Sequence, residues 1–382
     1  MPDADIAAWV AEADFGTADA VTEALRDAVV AGRLGYLPPA ERHALSESCA
    51  RWLADRYGWQ VPTERIHPVG DVREALRIAI DRYSRPGSAV ILPTPAYMPF
   101  VTAPEVWGRE VIQVPMTTSD GRPVLDLDGL DAAFRAGGHL LVLTNPHNPT
   151  GRVLARDELA GVAEVVERHA GRVFADEIHA PLTFPGARHV PYAALSDETA
   201  AHTVTATSAS KAWNIAGLKC AQVILSNASD AAAWARHDTL LTEGASTLGV
   251  IANTAAYDLG REWLADTLEY LDGNRAALGQ VLAERAPHVG YRPPEGTYLA
   301  WLDLRDVVGL GGSTPEVGGS PPVVPDGMSL GRWIRARTGV MVTDGAHCGV
   351  AGRGHIRFNL AMPRPMVIEA GRRIAACLDP VA

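Results

Sequence analysis

The chain has 382 residues and a formal net charge of -11, with 47% hydrophobic and 21% charged residues. A single core stops growing at roughly 250 to 300 residues, so we expect one large and one smaller domain. The negative charge, without clusters of Lys and Arg, disfavours a nucleic-acid or anionic-membrane partner. A small-molecule ligand is the expected partner.

Cysteine spacing and the first residues indicate the compartment. Four cysteines lie far apart with no CxxC pair, which predicts neither a disulfide framework nor a metal site and favours a reducing cytoplasm. The first fifteen residues are acidic and lack both a basic region and a long apolar run, so they predict no signal peptide and no membrane span. We therefore expect a soluble, cytoplasmic protein.

In chain order, the first forty residues have weak helical signals and predict an N-terminal arm. Short β-branched runs then predict strands, and apolar residues at helical spacing predict amphipathic helices beside them. The strands are expected at 89–92, 140–144, 173–175, 203–205 and 222–225, and two of the helices at 72–83 and 159–166. This alternation is typical of an α/β fold with a mostly parallel sheet.

The pattern changes after residue 258. A long helical stretch over 261–285 predicts the passage into a second, smaller α+β module. Residues 307–327 are rich in Gly, Pro and Ser, which predicts a long, mobile loop. The expected division is an N-terminal arm and part of the small domain in 1–44, a large domain in 45–273 and a C-terminal small domain in 274–382.

A lysine in the segment SASKAWN is the first candidate for chemistry. Lys211 follows a predicted strand and the hydroxyl residues Ser208 and Ser210. A lysine in a partly apolar site has a lowered pKa and can form an imine with an aldehyde, while the two serines can donate to a phosphate. An isolated pattern of this kind is more typical of a solvated lysine in a loop.

Two upstream segments strengthen the chemical interpretation. Asp176, in ADEIH, stands at the end of a predicted strand, at the sheet edge where ligands collect. A buried carboxylate there can keep the pyridine nitrogen of pyridoxal phosphate (PLP) protonated, so that the ring accepts electrons. Asn148, in NPHNPTG after another strand, can donate to the phenolic oxygen of PLP. Taken singly, a helix cap and a turn would explain these two segments.

Together, NPHNPTG, DEIH and SxSK in this order resemble the class I/II aminotransferase family, the fold-type I PLP enzymes, over nearly the whole chain. Within that family the chain is similar to the MalY/PatB branch of carbon–sulfur β-lyases, often called cystathionine β-lyases. The segments that carry this resemblance are 9–15 (WVAEADF), 35–36 (GY), 95–100 (PAYMPF), 260–264 (GREWL), 274–275 (NR), 296–301 (GTYLAW) and 357–360 (RFNL).

The resemblance implies roles for individual residues. Lys211 would carry PLP and remove the Cα proton of the substrate, with Asp176 at the pyridine nitrogen and Tyr97 stacked on the ring. The start of a helix at Gly70, Asp71 and Val72 would bind the phosphate, and His179 would lie near the ring. Arg357 would bind the substrate carboxylate. Tyr36 would reach the phosphate in the neighbouring subunit's site, which implies a homodimer with shared active sites.

Several positions depart from the family pattern. Glu12 and Ala13 replace the usual Asp and Met, and Trp213 stands where Phe is common. These residues are expected to border the substrate entrance, and Trp213, Asp14 and Tyr36 are expected to contact the substrate. Lys219 stands where many aminotransferases have a phosphate-binding Arg. This similarity weakens the separation of a lyase from a transaminase on sequence alone.

The expected function is cleavage of L-cystathionine or another S-substituted L-cysteine to a thiol, pyruvate and ammonia. One alternative is an aminotransferase. A second is a specialised lyase or decarboxylating deaminase for a bulky S-cysteinyl conjugate in secondary metabolism. A PLP-binding transcriptional regulator is disfavoured because no helix-turn-helix segment or basic patch precedes residue 40.

Overall fold

A seven-stranded sheet lies at the centre of the computed structural model, which describes residues 5–310 and 322–378. Its strand order is β2-β10-β9-β8-β7-β3-β4, and only β10 runs antiparallel to its neighbours. The remaining pairs are parallel. These strands are β2 (Ile66–Val69), β3 (Ala89–Thr94), β4 (Val111–Pro115), β7 (Gly138–Thr144), β8 (Arg172–Asp176), β9 (Thr203–Thr207) and β10 (Ala221–Leu225). The predicted α/β fold class is confirmed.

Helices surround this sheet and continue into the C-terminal part of the described chain. They are α1 (Asp19–Val30), α2 (Pro39–Tyr57), α3 (Val72–Tyr83), α4 (Met98–Val106), α5 (Leu127–Arg135), α6 (Arg156–Arg168), α7 (Asp197–His202), α8 (Ala228–Ala235), α9 (Asp238–Thr242), α10 (Thr247–Leu259), α11 (Arg261–Arg285), α12 (Leu330–Thr338) and α13 (Arg364–Leu378). Within the ranges that the structure describes, no helix is both long and apolar enough to cross a lipid bilayer.

Both faces of the central sheet are covered by helices. The apolar stripe of α3 packs with Val90 and Val204 on one face. Leu159 and Val162 of α6 pack with Leu141 on the other. Because the strands are buried on both faces, they are nearly continuous apolar runs, as in parallel sheets generally. A ligand can consequently reach this sheet only at the strand ends and the loops along its edges.

The five predicted strands and the three predicted helices are all present, and each strand is at least as long as expected. The sequence did not indicate β2 and β4. The former, Ile66–Val69, contains His67 and Pro68, which weaken a strand pattern. The first forty residues are more structured than an arm, because α1 (Asp19–Val30) packs against α10.

A second sheet follows α11 in the chain. It has four antiparallel strands in the order β11-β12-β17-β16: β11 (Gly290–Tyr291), β12 (Leu299–Asp303), β16 (Thr343–Asp344) and β17 (His355–Asn359). The N-terminal β1 (Ile6–Ala7) pairs in parallel with β15 (Val340–Met341). This pairing brings the residues that follow β1 toward β17.

Two further short strand pairs lie outside these sheets. A hairpin joins β5 (Thr117–Ser119) to β6 (Arg122–Val124). In the predicted loop 307–327, residues 311–321 lie outside the described residues, and β13 (Gly309–Leu310) pairs with β14 (Val323–Val324) on either side of them. One buried apolar cluster contains Ile6, Trp52 and Leu299, one residue from each of the expected segments 1–44, 45–273 and 274–382. Because this cluster is shared by all three segments, it does not locate the domain boundaries, which remain a prediction.

Candidate active site

A cavity of about 300 Å³ opens at the carboxyl ends of the parallel strands. Strands β3, β7, β8 and β9 all end near it, the edge where open α/β sheets bind ligands. Of the residues singled out in the sequence, those that line the cavity are Gly70, Asp71, Val72, Tyr97, Asn148, Asp176, His179, Ser208, Ser210, Lys211 and Lys219. Residues that lie almost 150 positions apart in the chain are thus assembled around one volume.

Lys211 lies four residues after β9. Its Nζ donates a hydrogen bond of 2.8 Å to the carbonyl oxygen of Ala11. Burial, followed by the positive charge of Arg357, lowers the pKa of the Lys211 amine to about 8. A substantial fraction of this amine is therefore neutral and nucleophilic near neutral pH.

Asp176 is the last residue of β8 and is buried. Its Oδ1 accepts a hydrogen bond of 3.2 Å from the backbone N–H of Ile178. Burial raises the pKa of this carboxyl group to about 7. Among the residues that the structure describes, no Lys, Arg or His forms an ion pair with Asp176, so a cation in the cavity would stabilise its charged form.

Two aromatic side chains border the same volume. Burial, followed by the charge of Lys211, lowers the pKa of His179 to about 3 and keeps its ring neutral. The His179 Nδ1 is buried without a hydrogen-bond partner among the described residues. Tyr97 directly precedes α4 and packs edge-to-face against Phe100, with 5.2 Å between ring centroids.

The N-terminus of α3 forms one end of the cavity. Asp71 caps this helix, because its carboxylate accepts the Glu74 N–H at 3.0 Å. The same carboxylate accepts from Lys219 Nζ at 3.2 Å. A Cβ on Gly70 would lie 2.9 Å from the carbonyl oxygen of Gly244, so the close approach of these two loops requires glycine. Backbone amides, a helix dipole and a lysine together favour an anion here.

Ser208 supports the loop that carries Lys211. Its hydroxyl donates to the Cys220 carbonyl at 2.7 Å and accepts the Ser210 N–H at 3.0 Å. The donor that the sequence assigned to a phosphate is therefore engaged with the protein backbone. Ser210 lines the cavity and is partly buried.

Arg357, in β17, is 2% exposed and does not itself line the cavity. One terminal nitrogen donates to Asn148 Oδ1 at 3.0 Å and the other donates to the Trp9 carbonyl at 2.8 Å. The Nε is buried without a partner among the described residues. Asn148 uses its amide oxygen on Arg357, so its amide nitrogen is the group available to donate into the cavity.

Besides Arg357, three predicted contacts do not line the cavity. Trp213 is 0% exposed, donates to the Gly260 carbonyl at 2.8 Å and packs against Trp52 in the core. The expectation that Trp213 borders the substrate entrance is wrong, because its ring is fully buried in the core against Trp52 and Tyr257. Asp14 is exposed, and Tyr36 is 95% exposed on the surface.

Sequence reasoning missed several groups at the cavity. Ala11 lines it and supplies the acceptor for Lys211, and Phe100 and Cys220 line it as well. Tyr298 is fully buried and donates to the same Ala11 carbonyl at 2.9 Å. A backbone carbonyl leaves no signal in a sequence, since every residue has one.

The cavity thus holds a half-buried lysine at the carboxyl edge of an α/β sheet. The family model "Aminotransferase class I and II" matches residues 10–374, and the chain belongs to this family. The family predicted from the sequence is confirmed.

Relatives within this family carry lyase names. The chain is 35% identical to "Cystathionine beta-lyase" of Corynebacterium glutamicum over 99% of this chain and 95% of that protein. It is 31% identical to "Cystathionine beta-lyase PatB" of Bacillus subtilis over 97% and 92%. A PLP-bound C-S lyase of Staphylococcus hominis, solved with L-cycloserine, superposes with a TM-score of 0.86 at 28% identity, over 99% of this chain and 89% of that one.

Proposed function

We propose that the protein is a PLP-dependent carbon–sulfur β-lyase that cleaves L-cystathionine or another S-substituted L-cysteine to thiol, pyruvate and ammonia. The observation that carries this proposal is that Lys211 and Asp176 line the same cavity. The pKa of the Lys211 amine is lowered to about 8, and the buried carboxyl of Asp176 has no ion-pair partner among the described residues. The names of the near full-length relatives support the same function.

The residues present fit PLP. Asp176 lacks a cationic partner among the described side chains, and a protonated pyridine nitrogen would provide one. The backbone amides at the start of α3 and Lys219 suit the phosphate, and Tyr97 offers an aromatic face at the cavity wall. Asn148 and the buried, unpartnered Nδ1 of His179 are available to the polar substituents of the ring.

When bound, PLP supplies an electron sink for the pair of electrons left at Cα. The neutral amine of Lys211 takes the Cα proton as general base. Arg357 binds the substrate carboxylate, for which its buried Nε still has a free proton to donate. Asn148 and Trp9 fix the guanidinium group for that task.

Elimination is favoured over transamination by the leaving group. A thiol has a pKa of about 8.5, so a thiolate departs from Cβ without the help of an acid. Transamination instead requires Lys211 to return the proton to a different carbon before Cβ loses its substituent. With sulfur at Cβ, proton return is the slower of the two steps.

We also propose that the functional unit is a homodimer in which Tyr36 completes the partner's site. Tyr36 is 95% exposed and lies beside an open cavity of about 960 Å³. Leu34 and Leu240 line the same cavity and are 64% and 71% exposed, a concentration of apolar surface that is typical of an interface.

A cytoplasmic location is part of the proposal. It is supported by the free, buried thiols of Cys49, Cys220 and Cys348, because free thiols are typical of a reducing compartment.

A substrate panel tests the proposed reaction. Purified enzyme is incubated with L-cystathionine and other S-substituted cysteines, and pyruvate, ammonia and free thiol are measured against keto acids that retain the side chain. We expect pyruvate and thiol in equal amounts, and no product from a Lys211→Ala control. Stoichiometric conversion of the cofactor to its amine form, with a sulfur-containing keto acid and no pyruvate, would replace the lyase by an aminotransferase.

A further inference from the structure

Residues 8–14, named here the N-terminal strap, connect the two halves of the site. The strap follows β1, and its Ala11 lines the cavity. Ala8 donates to the Met341 carbonyl at 2.9 Å and Asp14 donates to the Ala361 carbonyl at 2.9 Å. Both ends of the strap are therefore held by the C-terminal part of the chain.

The carbonyl groups of the strap alternate between two sets of partners, as expected for extended backbone. On one side, the Trp9 carbonyl accepts from Arg357 and the Ala11 carbonyl accepts from Lys211, each at 2.8 Å. On the other side, the carbonyls of Val10 and Glu12 both accept from Asn359 Nδ2, at 2.8 Å and 2.7 Å. One short stretch of backbone thus sets the spacing between the lysine and the arginine.

A second asparagine fixes the end of the strap. Asn214 accepts the Ala13 N–H at 2.9 Å and donates to the Ala13 carbonyl at 2.7 Å. Its backbone has a φ of 56°, a left-handed conformation that asparagine tolerates better than most residues. Asn214 lies three residues after Lys211, so the loop that carries the lysine also binds the strap.

We propose that Asn359 and Asn214 are positioning residues: by clamping the strap, they place the Ala11 carbonyl where it holds the Lys211 amine whenever that amine is not bonded to the cofactor. Lys211 must be released from the cofactor in each turnover if it is to act as a base. The Ala11 carbonyl, oriented further by Tyr298, gives the released amine one defined position. The inference rests on the proposed function only for the role of Lys211.

The clamped strap also excludes water from Lys211. Burial is the largest cause of its lowered pKa. The charged and titratable groups that face the amine come from every element around it: Glu12 of the strap, Asp176 at the end of β8, His179 in the loop that follows, and Arg357 of β17. If the strap were released, water would reach the Lys211 amine and stabilise its ammonium form. The pKa of Lys211 would then rise from about 8 toward its ordinary 10.5.

The experiment uses the full-length chain freed of cofactor. Lys211 and Lys219 are the only lysines in the sequence, so trace acylation with acetic anhydride, read by peptide mass spectrometry across pH, follows each amine separately. We expect Asn359→Ala to move the Lys211 midpoint upward by about one pH unit or more. The midpoint of Lys219, which is exposed and paired with Asp71, should stay in place.

Asn274→Ala is the matched control. Asn274 Nδ2 also donates to two alternate carbonyls, those of Leu360 and Met362, both at 2.8 Å, but it does not touch the strap. We expect a similar loss of thermal stability with no change at Lys211. Asn214→Ala provides an independent release of the strap and replaces Asn359→Ala if that chain does not fold.

The proposal is overturned if the Lys211 midpoint stays near 8 in folded Asn359→Ala or Asn214→Ala, or if Asn274→Ala moves it equally. In the holoenzyme, the strap variants should lower kcat and shift the basic side of its pH profile in the same direction as the acylation midpoint. Because acylation requires no substrate, a wrong assignment of the reaction would leave the midpoint shift intact. The two failures are therefore distinguishable.

Discussion

Two ionisable side chains, the half-buried Lys211 and the buried Asp176, have pKa values displaced toward each other. Burial lowers that of Lys211 to about 8 and raises that of Asp176 to about 7. Each charge is costly in a poorly solvated cavity, and a ligand that pairs with the carboxylate and bonds the amine relieves both costs. Perturbed pKa values of this kind are typical of a functional site.

Of the two lysines in the chain, only Lys211 should form a covalent bond to the cofactor. Lys211→Ala should abolish the visible absorption of the bound cofactor, because the other lysine, Lys219, is paired with Asp71 at the phosphate end. Lys219→Ala should keep the absorption and weaken cofactor affinity several-fold through the loss of one cation at the phosphate. Borohydride reduction followed by peptide mapping should find the label on Lys211, and a label on Lys219 would reverse the assignment.

Asp176 should make stability depend on pH when cofactor is absent. Its pKa is about 7 in the folded chain and 3.8 ordinarily, so between these values the folded state binds more protons than the unfolded state. The free energy of unfolding therefore falls as pH rises through this window, by about 1.4 kcal/mol per unit at most. Asp176→Asn should remove this dependence, because Asn does not titrate. The free energy of unfolding of the variant, measured relative to that of the wild type, should therefore increase as pH rises from about 4 to about 7.

Denaturant unfolding at several pH values measures the Asp176 effect. The same comparison with cofactor bound should show a much smaller difference in slope, since a protonated ring nitrogen in the proposed site would pair with the carboxylate. A constant gap in unfolding free energy between wild type and Asp176→Asn across the window would contradict the raised pKa.

At the scale of elements, the N-terminus of α3 has a capped first turn and, in the proposed site, would also bind the cofactor phosphate. Asp71 satisfies the backbone N–H of Glu74 and also pairs with Lys219 and Arg73. A carboxylate next to a phosphate site is electrostatically unfavourable for the phosphate, yet its cap stabilises the helix that presents the amides. These two effects can be separated by substitution.

Asp71→Ala and Asp71→Asn should differ in stability. Both remove the charge, but Asn keeps a side-chain oxygen that caps Glu74, whereas Ala leaves that N–H without its partner. We expect Asp71→Ala to be less stable than Asp71→Asn by about 1 kcal/mol. Urea denaturation of the cofactor-free chains measures the difference, and equal stability of the two variants would show that the cap contributes nothing.

At the scale of the molecule, the exposed apolar residues near Tyr36 are unusual for a free surface. Val30 is 83% exposed, in addition to Leu34, Tyr36 and Leu240. These residues lie away from the cavity that contains Lys211, and none of them lines it. A second copy of the chain would cover this surface and account for the otherwise isolated Tyr36.

Hybrid dimers test this arrangement. Tyr36→Phe and Lys211→Ala subunits should each be nearly inactive alone, because one lacks the hydroxyl donated to the partner's site and the other lacks the base. Mixed, unfolded and refolded together, they should recover about one quarter of the wild-type activity, since half of the dimers contain one intact site. A wild-type chain that is fully active as a monomer in sedimentation would contradict the shared site.

The sequence determined five of the seven strands of the central sheet and most of the cavity. NPHNPTG, DEIH and the segment of Lys211 each lie at the end of a largely buried strand, and the carboxyl ends of parallel strands necessarily meet at one edge. Asn148, Asp176 and Lys211 are brought together for that reason. Local pattern and topology suffice to predict such a site.

Only the tertiary structure decided which side chains were buried and which backbone groups were used. Trp213 lies two residues from Lys211, but its ring packs in the core with Trp52 and Tyr257. The Ala11 carbonyl holds Lys211 across 200 residues of sequence. Burial and backbone hydrogen bonds depend on long-range packing, which has no signature in the residues themselves.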